Sequence, residues 1–194
     1  MENKNIIDIN QNFQIVIDGK HSHRSGSYFQ APIMYLWAKQ IKAKNILEIG
    51  IGAGSTAYWL GHAAKENGGK YYALEYVQGR VDAISKLMDQ YEIPNKIQQM
   101  DTKKLWGVFF EDFLGKGKKF DLIFLDGNHT KEVIEHEMKC VYPWVLKKIG
   151  YIFIHDIHTS SYEGWLSVTK NTNYDIEHLQ LFGNSGLGII RKIS

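Results

Sequence analysis

The chain's 194 residues are enough for one sizeable α/β domain and too few for two comfortable ones. With 23 basic residues against 21 acidic ones, the net charge of +2 provides no broad positive field for nucleic acid. An apolar content of 44% argues against disorder, no apolar run approaches the length of a membrane span, and the single cysteine, Cys140, excludes an internal disulfide.

Residues 1–29 read as a polar, irregular approach segment with one β-like run over 13–17, and the stretch 19–30 is a candidate lid. The start of the chain lacks the basic residues and apolar stretch of a signal peptide, which makes the cytoplasm the expected location. Pro32 then opens a helical pattern carrying Ile33, Met34, Leu36, Trp37 and Ile41. From there β-type runs over 45–48, 70–75, 96–100, 120–126 and 150–155 alternate with helical segments near 55–65, 79–91, 103–114 and 130–147. Such alternation predicts a parallel sheet with right-handed crossovers. The tail differs: 174–181 and 187–192 read as strands joined by turn residues over 182–186. That link is too short for a crossover helix, so the pair is an antiparallel hairpin.

The sharpest motif follows the first of these strands. Glu48 ends the run, glycine alternates through Gly50, Gly52 and Gly54, and Ser55 and Thr56 stand ready to cap the next helix. A strand, a glycine turn and a helix start open a ligand pocket at the carboxyl end of a parallel strand. The other strand ends belong to the same crevice. They are Glu75, 21 residues after Gly54, then Asp101-Thr102, then Asp126-Gly127-Asn128-His129, then His155-Asp156. A carboxylate at Glu75 suits the two hydroxyls of a ribose. Asp101 suits either a ligand contact or a helix cap.

The pattern Glu48-x-Gly50-x-Gly52-x-Gly54-Ser55, with the C-terminal hairpin, resembles class I S-adenosylmethionine (AdoMet) methyltransferases over residues 30–194. The resemblance implies a doubly wound, Rossmann-like, seven-stranded and mostly parallel sheet in one domain. It also implies AdoMet contacts from Glu48, Gly50, Gly52, Gly54, Ser55, Thr56, Glu75 on the ribose, Asp101 and Thr102 at the adenine, and Asp126. The stretch from Asp126 to His129, taken with Asp156, is similar to small-molecule O-methyltransferases of the catechol and sugar types. Many of those hold a divalent cation such as Mg²⁺, which places Asp126 and Asp156 as metal ligands here. The chain departs from them at Ile157, where the catechol type carries Asn and the sugar type Asp. A third ligand would then come from His155, His158 or Asn128, and imidazole favours Mn²⁺, Fe²⁺ or Zn²⁺.

His129 stands where the catechol type has a catalytic lysine. It is expected to titrate near neutrality and to serve as general base, with Asp126 beside it. Tyr28, Phe29, Trp37 and Trp165 are candidate pocket-lining aromatics. The expected activity is O-methylation of a small-molecule hydroxyl, with no nucleic-acid or membrane partner and a homo-oligomer left open. An NAD-dependent oxidoreductase using Glu75 and a catalytically silent AdoMet-binding module are the alternatives.

Overall fold

A computed structural model describes residues 16–17, 20–21, 30–106, 108–181 and 185–194. Most of the approach segment, including Tyr28 and Phe29, and residues 182–184 of the tail turn lie outside the described residues. Two short antiparallel strands, β1 (Val16–Ile17) and β2 (Lys20–His21), precede the main body. It runs α1 (Ala31–Gln40), β3 (Asn45–Ile49), α2 (Ser55–Glu66), β4 (Lys70–Glu75), α3 (Gln78–Gln90), β5 (Asn95–Gln99) and α4 (Phe109–Leu114). Then follow β6 (Leu122–Leu125), α5 (Lys131–Val141), β7 (Tyr151–His155), α6 (Tyr162–Lys170), β8 (Ile176–Leu181) and β9 (Leu187–Lys192).

The large sheet has seven strands in the order β5-β4-β3-β6-β7-β9-β8. The first five pair in parallel, and β9 joins β7 and β8 antiparallel, as the tail pattern predicts. Strand order reverses between β4 and β6, both neighbours of β3. The crevice above that switch point is where an open α/β sheet binds its ligand. Successive side chains alternate between faces. Ile46, Tyr71, Phe124 and Phe153 pack toward α1, α2 and α3, whereas Leu47, Leu74, Ile123 and Ile154 pack toward α4, α5 and α6. Among the described residues no helix is long and apolar enough to cross a membrane.

Three local expectations are corrected. The segment expected as one helix over 103–114 is a 3-10 turn at Thr102–Lys104, capped by the Asp101 side chain, then extended backbone at Leu105, then α4. The helix expected over 130–147 stops at Val141, because Pro143 has no N–H to continue it and a 3-10 turn follows at Tyr142–Trp144. Helix α6 was not expected at all. Its glycine, a poor helix former, lets it close against α5: a Cβ at Gly164 would stand 2.6 Å from Ile134 Cδ1.

Trp37 and Trp165 are core residues and not pocket walls. Trp37 packs edge-on against Tyr151 and Phe153, and Trp165 is 1% exposed over Gly188 of β9. A Cβ at Gly188 would stand 2.4 Å from the Trp165 ring. Gly188→Ala is therefore expected to destabilise by roughly 1–3 kcal/mol through overpacking. Thermal melting should drop by about 2–4 °C per kcal/mol for a chain of this size. Unchanged melting would mean the indole has room to move.

Candidate active site

The turn after β3 is held from both sides. Gly50 N donates to the Leu74 carbonyl at 2.9 Å, and Asp126 N donates to the Ile49 carbonyl at 2.8 Å. Gly50, Gly52 and Gly54 all have positive φ, at 84°, 55° and 84°. At Gly50 a Cβ would come within 2.3 Å of the Asp126 carbonyl oxygen, so only glycine lets the end of β6 approach this closely. At Gly52 a Cβ would meet nothing within 4 Å. The turn borders a cavity of about 390 Å³ that Gly50, Gly52, Glu75, Asp101, Thr102 and Asp126 line together.

Glu75 has a structural duty in this cavity. Its Oε2 accepts the N–H groups of Ile51 at 3.0 Å and Gly52 at 3.2 Å, and its Oε1 accepts Val77 N–H at 2.9 Å. The carboxylate thus staples the glycine turn, and a carboxylate's remaining acceptor capacity faces the cavity. Arg80, 3.6 Å from Oε1, was not expected from the sequence, and its position at the start of α3 carries no local signal. Asp101 turns out to be both cap and lining residue, since its Oδ1 accepts Lys103 N–H at 3.2 Å. The Thr102 hydroxyl donates to Glu137 at 2.6 Å. Glu137 is 1% exposed, and burial pushes its carboxyl up to about 7. Its spacing from Val133, Cys140 and Val141 on α5 was the available sign of burial.

Glu48, Gly54, Ser55 and Thr56 do not line the cavity. Alternation along β3 sends Glu48 to the same face as Ile46, under α2, where its carboxylate accepts the hydroxyls of Thr56 and Tyr71. The expected capping by Ser55 and Thr56 gives way as well: Gly54 occupies the N-cap position in the left-handed conformation with no side-chain cap. Burial raises the Glu48 carboxyl to about 8, against the lowering effect of its two hydrogen bonds. An acid raised on folding makes the folded state bind more protons than the unfolded chain. Stability therefore falls as pH rises from the ordinary carboxyl value, near 4.5, to about 8, and is flat above. Glu48→Gln is expected to remove this slope, worth about 1.4 kcal/mol per pH unit at most. Urea unfolding of both proteins at pH 5 and pH 8 checks it, since equal pH dependence would contradict a neutral buried Glu48.

The second half of the site sits at the ends of β6 and β7. The sequence reading pairs Asp126 with Asp156 as neighbouring strand ends, but the register aligns Leu125 with Ile154 and so brings His155 beside Asp126. His155 Nδ1 lies 2.7 Å from Asp126 Oδ1. Asp156 leaves the strand with φ 57°, a conformation few non-glycine residues adopt. Its carboxylate returns to the cluster, 3.3 Å from His155 Nδ1 and 2.9 Å from His129 Nδ1. His129 completes the ring of charges, with Nε2 3.3 Å from Asp126 Oδ1 and Nδ1 2.7 Å from the Ser160 hydroxyl.

This environment overturns the expected titration of His129. Hydrogen bonds to Asp126 and Asp156 outweigh burial and raise it to about 10, so the ring is protonated at neutral pH and cannot accept a proton there. Burial would raise Asp156, but the hydrogen bond from His129 and the charges of both histidines hold its carboxyl below the ordinary value. His155, 5% exposed, makes no hydrogen bond of proper direction from Nδ1 despite the two nearby carboxylates. Its Nε2 faces the Ser185 hydroxyl at 3.4 Å.

Residues 47–157, more than half of the chain, match a family model described as a methyltransferase domain. The chain belongs to this methyltransferase family. It is 29% identical over 99 residues to a catechol O-methyltransferase of Niastella koreensis, a match covering 51% of this chain and 44% of that protein. The chain thus spans under half the length of that curated relative. In fold it is similar to the O-methyltransferase TomG of Streptomyces achromogenes, crystallised with SAM, at a TM-score of 0.68 and 14% identity. That likeness covers 85% of this chain and 80% of TomG. It is likewise similar to the SAH-bound methyltransferase PaMTH1 of Podospora anserina, at 0.67 and 20%, over 85% of this chain and 78% of the other.

Proposed function

We propose that the chain is an AdoMet-dependent O-methyltransferase acting on a hydroxyl of a small molecule. One observation carries this reading: Asp126 lines the glycine-turn cavity and also pairs with His129 and His155. A donor in the cavity and an acceptor at the cluster would meet across that one side chain, which is the proximity that in-line transfer needs. The residues fit the donor, because Gly52 leaves its Cβ direction open and Glu75 and Asp101 present acceptors along the cavity. When bound, AdoMet supplies a methyl group already activated on a sulfonium.

The protein then has to align the acceptor, exclude water and take one proton. Because His129 carries its own proton, Asp126 accepts the hydroxyl proton in this reading, and the imidazolium beside it offsets the carboxylate charge before transfer. A different state of the cluster, in which His129 has lost its proton, fits a divalent cation held by Asp126, His129 and His155, whose donor atoms lie within 4.8 Å of one another. Such an ion would lower the pKa of a coordinated hydroxyl.

Residues 30–194 form the catalytic domain in this proposal; the lid expected within residues 1–29 lies almost wholly outside the described residues. A cytoplasmic setting is supported by the single free cysteine.

Calorimetry with AdoMet and with NAD, followed by transfer of labelled methyl to a hydroxyl library, tests the reading. Binding of AdoMet alone and label in an ether product are expected. Heat from NAD alone would make the chain an oxidoreductase, and AdoMet binding without transfer to any hydroxyl would make it a silent binding module.

A further inference from the structure

We propose that Glu137, a buried carboxylate on α5 for which methyl transfer itself has no use, is a specificity-determining positioning residue. By taking the hydroxyl proton of Thr102 it makes that wall of the donor cavity favour an amino purine over an oxo purine. This rests on the AdoMet reading, which puts the adenine of the donor against Asp101 and Thr102.

Thr102 opens the 3-10 turn after β5 and lines the cavity, and its hydroxyl donates to Glu137 Oε1 at 2.6 Å. A hydroxyl carries a single proton. With that proton committed, the Thr102 side chain can offer a ligand a lone pair or a methyl group, and nothing that donates. Glu137 is 1% exposed, and its Oε1 would stand 3.2 Å from a Cβ at Gly127, another lining residue. The carboxylate thus lies behind the cavity border, between the ends of β5 and β6, where water does not compete for the threonine proton.

Burying a carboxylate costs free energy that an apolar side chain would spare. The other buried residues of α5, among them Val133, Met138, Cys140 and Val141, are apolar, and packing alone could tie the turn to the helix. What only an acceptor oxygen supplies is a direction for the Thr102 proton. Asp101 adds acceptors at the same wall. Its Oδ1 takes the Lys103 N–H at 3.2 Å and its Oδ2 lies 3.7 Å from Lys104 Nζ, which leaves lone pairs on both oxygens.

Arg80 and Lys103 border the cavity too, but Arg80 stands 3.6 Å from Glu75 and Lys103 is exposed, so neither is a buried donor at this wall. An amino group on the base brings protons to Asp101 and Thr102. An oxo group sets lone pairs against lone pairs and leaves desolvated acceptors unpaired, the mismatch that binding sites reject most strongly.

The test uses the whole chain at about pH 8.5, above the value of about 7 to which burial raises Glu137, so that the carboxylate only accepts. Calorimetry with S-adenosylhomocysteine and its oxo analogue, S-inosylhomocysteine, is expected to show a preference of at least about 30-fold for the amino compound. Glu137→Met keeps the side chain's length and frees the Thr102 proton to turn into the cavity. It should weaken the adenosyl ligand and strengthen the inosyl one, lowering the ratio at least about fivefold. A merely structural loss would weaken both alike. Thr102→Val removes the oxygen itself and should lower the ratio similarly, and adding Glu137→Met to it should change the ratio by less than about twofold.

Circular dichroism reports whether each variant folds. Magnetic resonance of the unaltered protein with S-adenosylhomocysteine needs no variant: the Thr102 hydroxyl proton, held by a buried acceptor, should appear as a slowly exchanging signal. No preference between the two nucleosides, equal weakening of both in Glu137→Met, additive effects of the two substitutions, or a fast-exchanging Thr102 proton would each overturn the proposal. Adenosyl binding without discrimination sinks it and leaves the AdoMet reading standing, whereas binding of neither nucleoside overturns that reading as well.

Discussion

Replacing Gly52 with valine is expected to abolish AdoMet binding in a protein that still folds. The residue lines the cavity, and its missing Cβ would point to a place where no protein atom lies within 4 Å. A branched side chain there displaces nothing of the protein and fills the ligand's space instead. The cost to the fold is the strain of a β-branched residue at φ 55°, roughly 1–3 kcal/mol. Melting should therefore fall by about 2–12 °C at about 2–4 °C per kcal/mol, leaving a folded protein, whereas affinity should fall at least about 100-fold, or roughly 2.7 kcal/mol. Gly50 supplies the contrast. There a Cβ overlaps the Asp126 carbonyl, so Gly50→Val should lose the fold along with the ligand. Calorimetry and melting of both variants separate the two glycines, and a Gly52→Val protein with unaltered affinity would place the donor elsewhere.

Asp126→Asn should lower turnover by roughly 100- to 10,000-fold, the range for loss of a group that takes a proton in the transition state. The substitution keeps shape and removes charge, so AdoMet affinity should change by less than about tenfold. His129→Ala should also lower turnover more than affinity. Because His129 acts through the carboxylates it pairs with, the double variant should lose about as much as the more damaging single one. Steady-state kinetics of the four proteins with the true acceptor decides. Full turnover in Asp126→Asn would move the acceptor away from the ends of β6 and β7, and strictly additive losses would mean that the two residues act separately.

The fold was legible in the sequence because its signals are local and repeated. Five β-type runs, the helical periods between them and a turn too short for a crossover define the parallel sheet and its antiparallel edge. Where the reading failed, a single residue outweighed the period. Pro143 cut α5 short, the Asp101 cap broke the segment before α4, and Gly164 hid α6 by weakening a helix that packing of Gly164, Trp165 and Val168 in the core makes worthwhile.

The site was legible only in part. Gly50, Gly52, Glu75, Asp101, Thr102 and Asp126 meet in one cavity, as strand-end positions in such a sheet must. Glu48 and Thr56 lie in the same motif but on the wrong face, and two-residue alternation along β3 was enough to say so. Composition, periodicity and the glycine turn thus determined by themselves that the chain is an α/β protein with a parallel sheet and a ligand crevice at Gly50–Gly54. Which side chains share that crevice was decided by tertiary structure alone. Register, and not sequence spacing, set His155 against Asp126, and the left-handed turn at Asp156 bent a second carboxylate back onto His129. Those contacts join strands far apart in the chain, and they give His129 a charge that no local pattern of residues encodes.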